Sequence, residues 1–370
     1  MVINGVLEKS KRVELEITDV AFGGKGVGRH ENQVVFVPFV DSGERVRVEI
    51  TQVKKNFAEA RLLEILAPSR HRVDPRCKYF QACAGCQYQH LDYNRQLEIK
   101  AKQLKDTLRR IGGLDIEVEP VVPSPLPYAY RNKLSITWIS GRLGLFAEDN
   151  VTLVGVEQCE IAQLEVNRKL AQLRSHKVKP PRSGKNRQSF IIRTDELEKR
   201  LPPHAFAQVN DSMAPVMKRV VKDLLKPADL LIDAYCGAGF FALELADCVK
   251  KVVGIESHVE SVDSARREAK TRGLANVEFI AGLVEEVLAR TPLPVSSALL
   301  VDPPREGCHP SVIDLILKHR PGQVIYVSCN PSTLARDLKT LLTAYQVEKV
   351  VPLDMFPQTK HLEVVTSLVN

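Results

Sequence analysis

The chain has 370 residues, 44% of them hydrophobic and 26% charged, with a formal net charge of +7. That length suits two or three domains, and the composition is that of a globular chain rather than a disordered or fibrous one. No apolar run approaches the roughly 20 residues of a membrane span, and Met1 to Ile17 has no signal-peptide core, so the sequence predicts a cytoplasmic protein without a membrane partner.

The excess positive charge is localised. Residues 1–66 carry 10 basic and 10 acidic side chains, residues 67–225 carry 27 and 17, and residues 226–370 carry 15 and 18. The basic residues concentrate in Lys100 to Arg110 and in Lys177 to Arg187, which suits a phosphate backbone such as that of RNA. Taken singly, each patch also reads as a solvated surface.

Residues 1–66 read as an all-β domain. Val13, Leu15 and Ile17 alternate, as do Val46, Val48 and Ile50, and Gly23 to Gly28 breaks the pattern between strands. About five short strands in this span predict a small closed barrel of the OB type. A helix is predicted over 90–112, with Leu91, Leu97, Leu104, Leu108 and Ile111 on one face and Gly112-Gly113 as its stop. Four prolines between Pro120 and Pro127 mark an extended linker, and strands are expected at 133–139, 151–156 and 189–193. Residues 67–205 are thus expected to form an α+β central domain. From 206 to 370 strands at 230–234, 252–256, 277–280, 298–301 and 324–328 alternate with helices such as 258–272 and 310–319. This is the pattern of a doubly wound α/β domain. It closes on two strands, 347–352 and 362–368, with no helix between them, an ending that suits a methyltransferase better than a dehydrogenase.

Three sets of residues carry chemistry. Leu230 to Ala234 runs into Tyr235-Cys236-Gly237-Ala238-Gly239, a strand entering a glycine turn. Gly237 and Gly239 supply the tight turn of a nucleotide-like cofactor site. Glu256 ends the next strand, 23 positions after Asp233, where an acid takes both ribose hydroxyls. Cys329, in Ser328-Cys329-Asn330-Pro331, stands where a buried strand ends and a helix begins, so it is a fixed thiol beside a cofactor pocket. Cys77, Cys83 and Cys86 form a dense array, and Cys159 is the best fourth ligand in a reducing compartment. Four thiolates accept either zinc or an iron–sulfur cluster.

These pieces, in this order, resemble the RNA uracil-5-methyltransferases, in the branch with an N-terminal TRAM barrel and a [4Fe-4S] cluster. The resemblance rests on Cys77-x5-Cys83-x2-Cys86…Cys159, Phe206-Ala207-Gln208-Val209-Asn210, Asp233 to Gly239, Asp302-Pro303-Pro304-Arg305, Ser328 to Pro331, and Asp354-Met355-Phe356-Pro357…His361-Leu362-Glu363. It implies a class I (Rossmann-like) methyltransferase domain that binds S-adenosyl-L-methionine, and it favours an iron–sulfur cluster over zinc. It implies a structured RNA substrate, 23S ribosomal RNA ahead of transfer RNA, and no obligate protein partner. One departure is Phe240, where the family often has Asn.

The resemblance also distributes roles. Cys329 is the thiol that adds to C6 of uracil, and Glu363 is the base that takes the C5 proton. Gln208, Tyr235 and Asp302 join Gly237, Gly239 and Glu256 at the cofactor. The target base has to leave its stack to reach the thiol, with Phe240, Phe241 or Phe356 available to hold it. A nicotinamide dehydrogenase would leave the thiol and the cysteine array unexplained. A noncatalytic metal-containing RNA-binding protein and an RNA cytosine-5 methyltransferase are the rival readings.

Overall fold

A computed structural model describes residues 7–175, 187–200 and 207–370. Residues 177–186 of the second basic patch, and Phe206, lie outside the described residues. The chain divides into two compact units with interleaved segments. One comprises Met1–Gln103, Ser135–Ile192 and Pro357–Lys360, and the other Leu104–Leu134, Arg193–Phe356 and His361–Asn370.

The first unit opens with a closed five-stranded barrel: β1 (Arg12–Val20), β2 (Lys25–His30), β3 (Gln33–Pro38), β4 (Arg45–Val53) and β5 (Phe57–Ala67), in the order β1-β2-β3-β5-β4. Period-2 alternation builds it, because every second side chain of β1 and β4 turns inward. Val13, Leu15 and Ile17 meet Val46, Val48 and Ile50 in its core. Between β3 and β4, Asp41 and Glu44 are fully buried. Arg95 binds Asp41 at 3.0 Å, and Arg72 binds Glu44 at 2.5 Å. The helix α1 (Tyr93–Thr107) begins where Asp92 accepts the Arg95 N–H at 2.9 Å. It runs shorter than the apolar spacing suggests, passing through a π-turn at 108–112 before Gly113 ends it at φ +69°.

The order of the second sheet is β8 (Leu153–Val154), β7 (Arg142–Phe146), β6 (Lys133–Ile139), β9 (Arg187–Arg193). The helix α2 (Leu164–Ser175) follows β8 in the chain. Within the first unit the turn around Gln358 is held by Gln96: the Gln96 amide donates to Gln358 Oε1 at 3.0 Å and accepts the Gln358 N–H at 3.1 Å.

The other unit carries a seven-stranded sheet: β10 (Leu230–Ala234), β11 (Lys251–Glu256), β12 (Val277–Ala281), β13 (Ser297–Val301), β14 (Gln323–Ser328), β15 (Gln346–Leu353) and β16 (Glu363–Val369). The order is β12-β11-β10-β13-β14-β16-β15, parallel up to β14, with β16 antiparallel to both of its neighbours. Central strands such as β13 and β14 are buried at every position because both faces are covered. The helices of this unit are α3 (Asp195–Arg200), α4 (Ala214–Leu224), α5 (Val259–Thr271), α6 (Val284–Leu288), α7 (Pro310–His319) and α8 (Pro331–Leu341). Strand order reverses between β10 and β13, and a ligand crevice is expected at the carboxyl ends of strands at such a point.

Candidate active site

The crevice is there. A cavity of about 610 Å³ opens beyond the ends of β10 and β13, lined by Gln208, Tyr235, Gly237, Gly239, Phe240 and Asp302 among others. That volume lies inside the roughly 300–1,000 Å³ range of small-molecule sites. Its floor is set by local sequence. Tyr235, Gly237 and Gly239 all have positive φ, at +65°, +54° and +82°. A Cβ on Gly239 would stand 2.9 Å from Leu243 and 3.0 Å from Phe279, so only glycine allows this turn to close on the sheet. Phe240, at the departure from the family pattern, lines the cavity with the Lys218 ammonium 4.9 Å from its ring centre.

Glu256 is not among the cavity-lining residues. Its carboxylate accepts the Gly237 N–H at 3.0 Å and the His258 N–H at 2.8 Å, so it braces the turn from the end of β11. Asp233 lies beneath the same turn, fully buried, and accepts the Ala242 N–H at 2.8 Å while its second oxygen has no partner. Burial, with Asp302 and Glu256 close by, pushes Asp233 up to about 8. Sequence reasoning treated Asp233 only as part of the motif. A carboxylate inside an otherwise apolar strand was the available signal.

Sheet register brings Cys329 and Glu363 together. Ser328 pairs with Val364 at the end of the ladder between β14 and β16, so Cys329 directly follows the last paired residue of β14 and Glu363 directly precedes its partner in β16. The Glu363 charge acts on the Cys329 thiol. Asp302 follows β13, the neighbour of β14, and belongs to both neighbourhoods: it lines the cavity, and its charge acts on Cys329 and Glu363. Cys329 and Glu363 do not line the cavity itself.

The electrostatics differ from an activated thiol. Burial and the Glu363 charge push Cys329 up to about 11, against the opposing pull of Arg305. Glu363 is 6% exposed, and burial with Asp302 nearby holds it well above the usual carboxylate range. Burial brings Asp302 to about 7. The cap of α8 is well formed: Asn330 accepts the Ser332 N–H at 3.1 Å, with Pro331 at the first helical position.

The four cysteines of the array are reduced and half-buried. They are close enough to interact: burial first, and then Cys159, Cys83 and Cys77, push Cys86 up to about 12. Backbone geometry is fixed around them, with Cys77 N–H on Gln89 at 3.1 Å and Cys159 N–H on Asn167 at 2.9 Å. Among the described residues no group of three or more His, Cys, Asp or Glu stands at the spacing of a single metal ion. A zinc ion at about 2.3 Å from each sulfur draws four thiolates tightly together. An iron–sulfur cluster is likewise held by four Cys thiolates.

No helix among the described residues is long and apolar enough to cross a membrane. A family profile described as tRNA (Uracil-5-)-methyltransferase matches residues 185–291 and 295–369, and a TRAM domain profile matches 7–63. An uncharacterised RNA methyltransferase of Synechocystis sp. is 33% identical over 95% of this chain and 94% of its own length. A second one, of Thermosynechococcus vestitus, is 31% identical over 98% and 99%. The crystal structure of Pyrococcus abyssi tRNA (uracil-54, C5)-methyltransferase in complex with S-adenosyl-L-homocysteine shares the fold. Its TM-score is 0.74 at 24% identity, over 96% of this chain and 100% of that one.

Proposed function

The chain belongs to the RNA uracil-5-methyltransferase family, and we propose that it methylates C5 of a uridine in structured RNA through a covalent bond between Cys329 and C6. The observation that supports this reading is the end of the β14–β16 ladder at Ser328–Val364, which brings the neighbouring Cys329 and Glu363 to the same end of the sheet, while Asp302 lines the cofactor cavity and its charge acts on both.

C5 of uracil is a weak nucleophile. Addition of the Cys329 sulfur to C6 moves the ring's electron pair to C5 as an enolate. C5 then takes the methyl group, and the cofactor's sulfonium carbon–sulfur bond breaks to leave a neutral thioether. Glu363 accepts the C5 proton, the C5–C6 double bond re-forms, and the thiolate departs. Burial raises the Glu363 carboxyl, which makes it a stronger base toward the C5 proton than an ordinary carboxylate. Burial and the Glu363 charge, which push the thiol up to about 11, favour its neutral form in the free protein.

Gln208, Tyr235, Gly237, Gly239 and Asp302 would hold S-adenosyl-L-methionine, with Glu256 bracing the turn beneath it or taking the ribose hydroxyls. Cys77, Cys83, Cys86 and Cys159 would hold a [4Fe-4S] cluster that shapes the RNA-binding region, residues 67–205, rather than taking part in methyl transfer. The barrel of residues 1–66 adds RNA contact, and residues 206–370 supply catalysis.

RNA carrying 5-fluorouridine at the target lacks a C5 proton to remove, so the wild-type protein with its methyl donor should form a denaturation-stable adduct. Cys329→Ala should form none while retaining S-adenosylhomocysteine affinity. An adduct that persists in Cys329→Ala would end this reading. Mapping 5-methyluridine in ribosomal and transfer RNA of cells lacking the gene decides between the two substrates.

A further inference from the structure

The segment after β13 carries Asp302 and Arg305, and it has no regular structure of its own. The first two turns of α8 grip it at successive residues. Asn330 Nδ2 donates to the Arg305 carbonyl at 2.9 Å, and the Thr333 hydroxyl donates to the same oxygen at 3.3 Å. Arg336 donates to the Glu306 carbonyl at 3.0 Å. Gly307, at φ +83°, lies so close to the helix that a Cβ would meet Arg336 and Asp337 at 2.5 and 2.7 Å. Asp337 Oδ2 accepts the Cys308 N–H at 3.0 Å and the Tyr326 hydroxyl at 2.7 Å. Tyr326 is fully buried and Asp337 is 3% exposed, so neither touches a ligand directly.

A buried carboxylate needs a reason to be retained, since an unpaired one is costly. Here it ties the loop to the helix that begins at Asn330, the residue after the nucleophile. The groups whose charge acts on Cys329 are Glu363, Arg305 and Asp302. Arg305 alone among these three favours the thiolate.

We propose that Asp337 and Tyr326 are positioning residues, whose buried hydrogen bond fixes the 305–308 loop against the start of α8 and so sets where the exposed Arg305 side chain stands relative to Cys329. The pair does no chemistry. It holds in place a loop whose Arg305 charge favours the thiolate. This rests on the reading of Cys329 as the nucleophile.

The test follows adduct formation with 5-fluorouridine RNA against pH, for the wild type, Arg305→Gln, Tyr326→Phe, Asp337→Asn and the double variant Arg305→Gln/Tyr326→Phe. Losing a nearby cation lowers the thiolate fraction at any given pH. Arg305→Gln should therefore slow trapping near neutral pH by about 10-fold and displace the profile to higher pH. Tyr326→Phe and Asp337→Asn should move it the same way by about 3- to 10-fold, with unchanged S-adenosylhomocysteine affinity. The double variant should lose no more than Arg305→Gln alone, because the two changes remove one effect. Profiles that stay in place while only the melting temperature falls would overturn the proposal, as would losses that multiply in the double variant. If Asp337→Asn fails to fold, Tyr326→Phe decides alone, since it deletes one hydroxyl without changing shape. An undisplaced Arg305→Gln profile would remove the arginine's role and the clamp with it. Trapping that survives Cys329→Ala would instead remove the premise.

Discussion

Two carboxyl groups at the head of the sheet make the protein's pH response legible residue by residue. Asp233 and Asp302 sit at about 8 and about 7 in the folded chain, against about 3.9 in an unfolded one. Between those limits the native state holds more protons than the unfolded state, so stability is full at acid pH and is lost as pH rises toward 8. Asp233→Asn removes that dependence at one position while leaving an acceptor for the Ala242 N–H. Its melting temperature relative to the wild type should rise between pH 5 and pH 9, and a constant offset would contradict this origin. Cys329 has its own signature. With the thiol at about 11, the trapping rate should climb about tenfold per pH unit between roughly pH 7 and 9. A plateau below pH 8 would show that the free protein already holds a thiolate.

At the scale of elements, strands and helices with strong periodicity were readable in advance. The α7 bounds follow its pattern, as do the barrel strands and the terminal hairpin, because each buries a clean apolar face. The middle of the chain was less readable. β7 and α2 are amphipathic and short, with half-buried positions that leave little period to detect. The sequence announced a cofactor turn and a thiol at a strand end. It could not announce that Cys329 and Glu363 come to the same end of the sheet, since that depends on pairing between strands 35 residues apart. Nor could it reveal the raised thiol, which depends on burial. Two predictions belong here. Gly239→Ala should abolish S-adenosylhomocysteine binding by calorimetry, because Leu243 and Phe279 leave no room for a methyl. Asn330→Ala should cost about 1 kcal/mol in denaturant melts through the lost cap of α8, and slow trapping by releasing the Arg305 carbonyl.

Across the whole molecule, the barrel owes its attachment to a buried ionic network rather than to apolar area alone. Removing Glu44, whose carboxylate is fully buried against Arg72, should destabilise the protein by about 3 kcal/mol or more, because it strands a charge. Glu44→Ala measured by denaturant unfolding checks this. The Gln96–Gln358 pair has a further meaning for how the protein is made. Its two partners are 262 positions apart, and contacts so distant slow folding, since the intervening chain must first be closed into a loop. During translation, the Gln96 amide can donate to the Tyr88 and Leu91 carbonyls as soon as α1 forms, but its two hydrogen bonds with Gln358 wait until that residue has been added. The surroundings of α1 therefore complete their hydrogen bonds only after residue 358 is in place, and ribosome-bound chains truncated before Gln358 should stay protease-sensitive around α1.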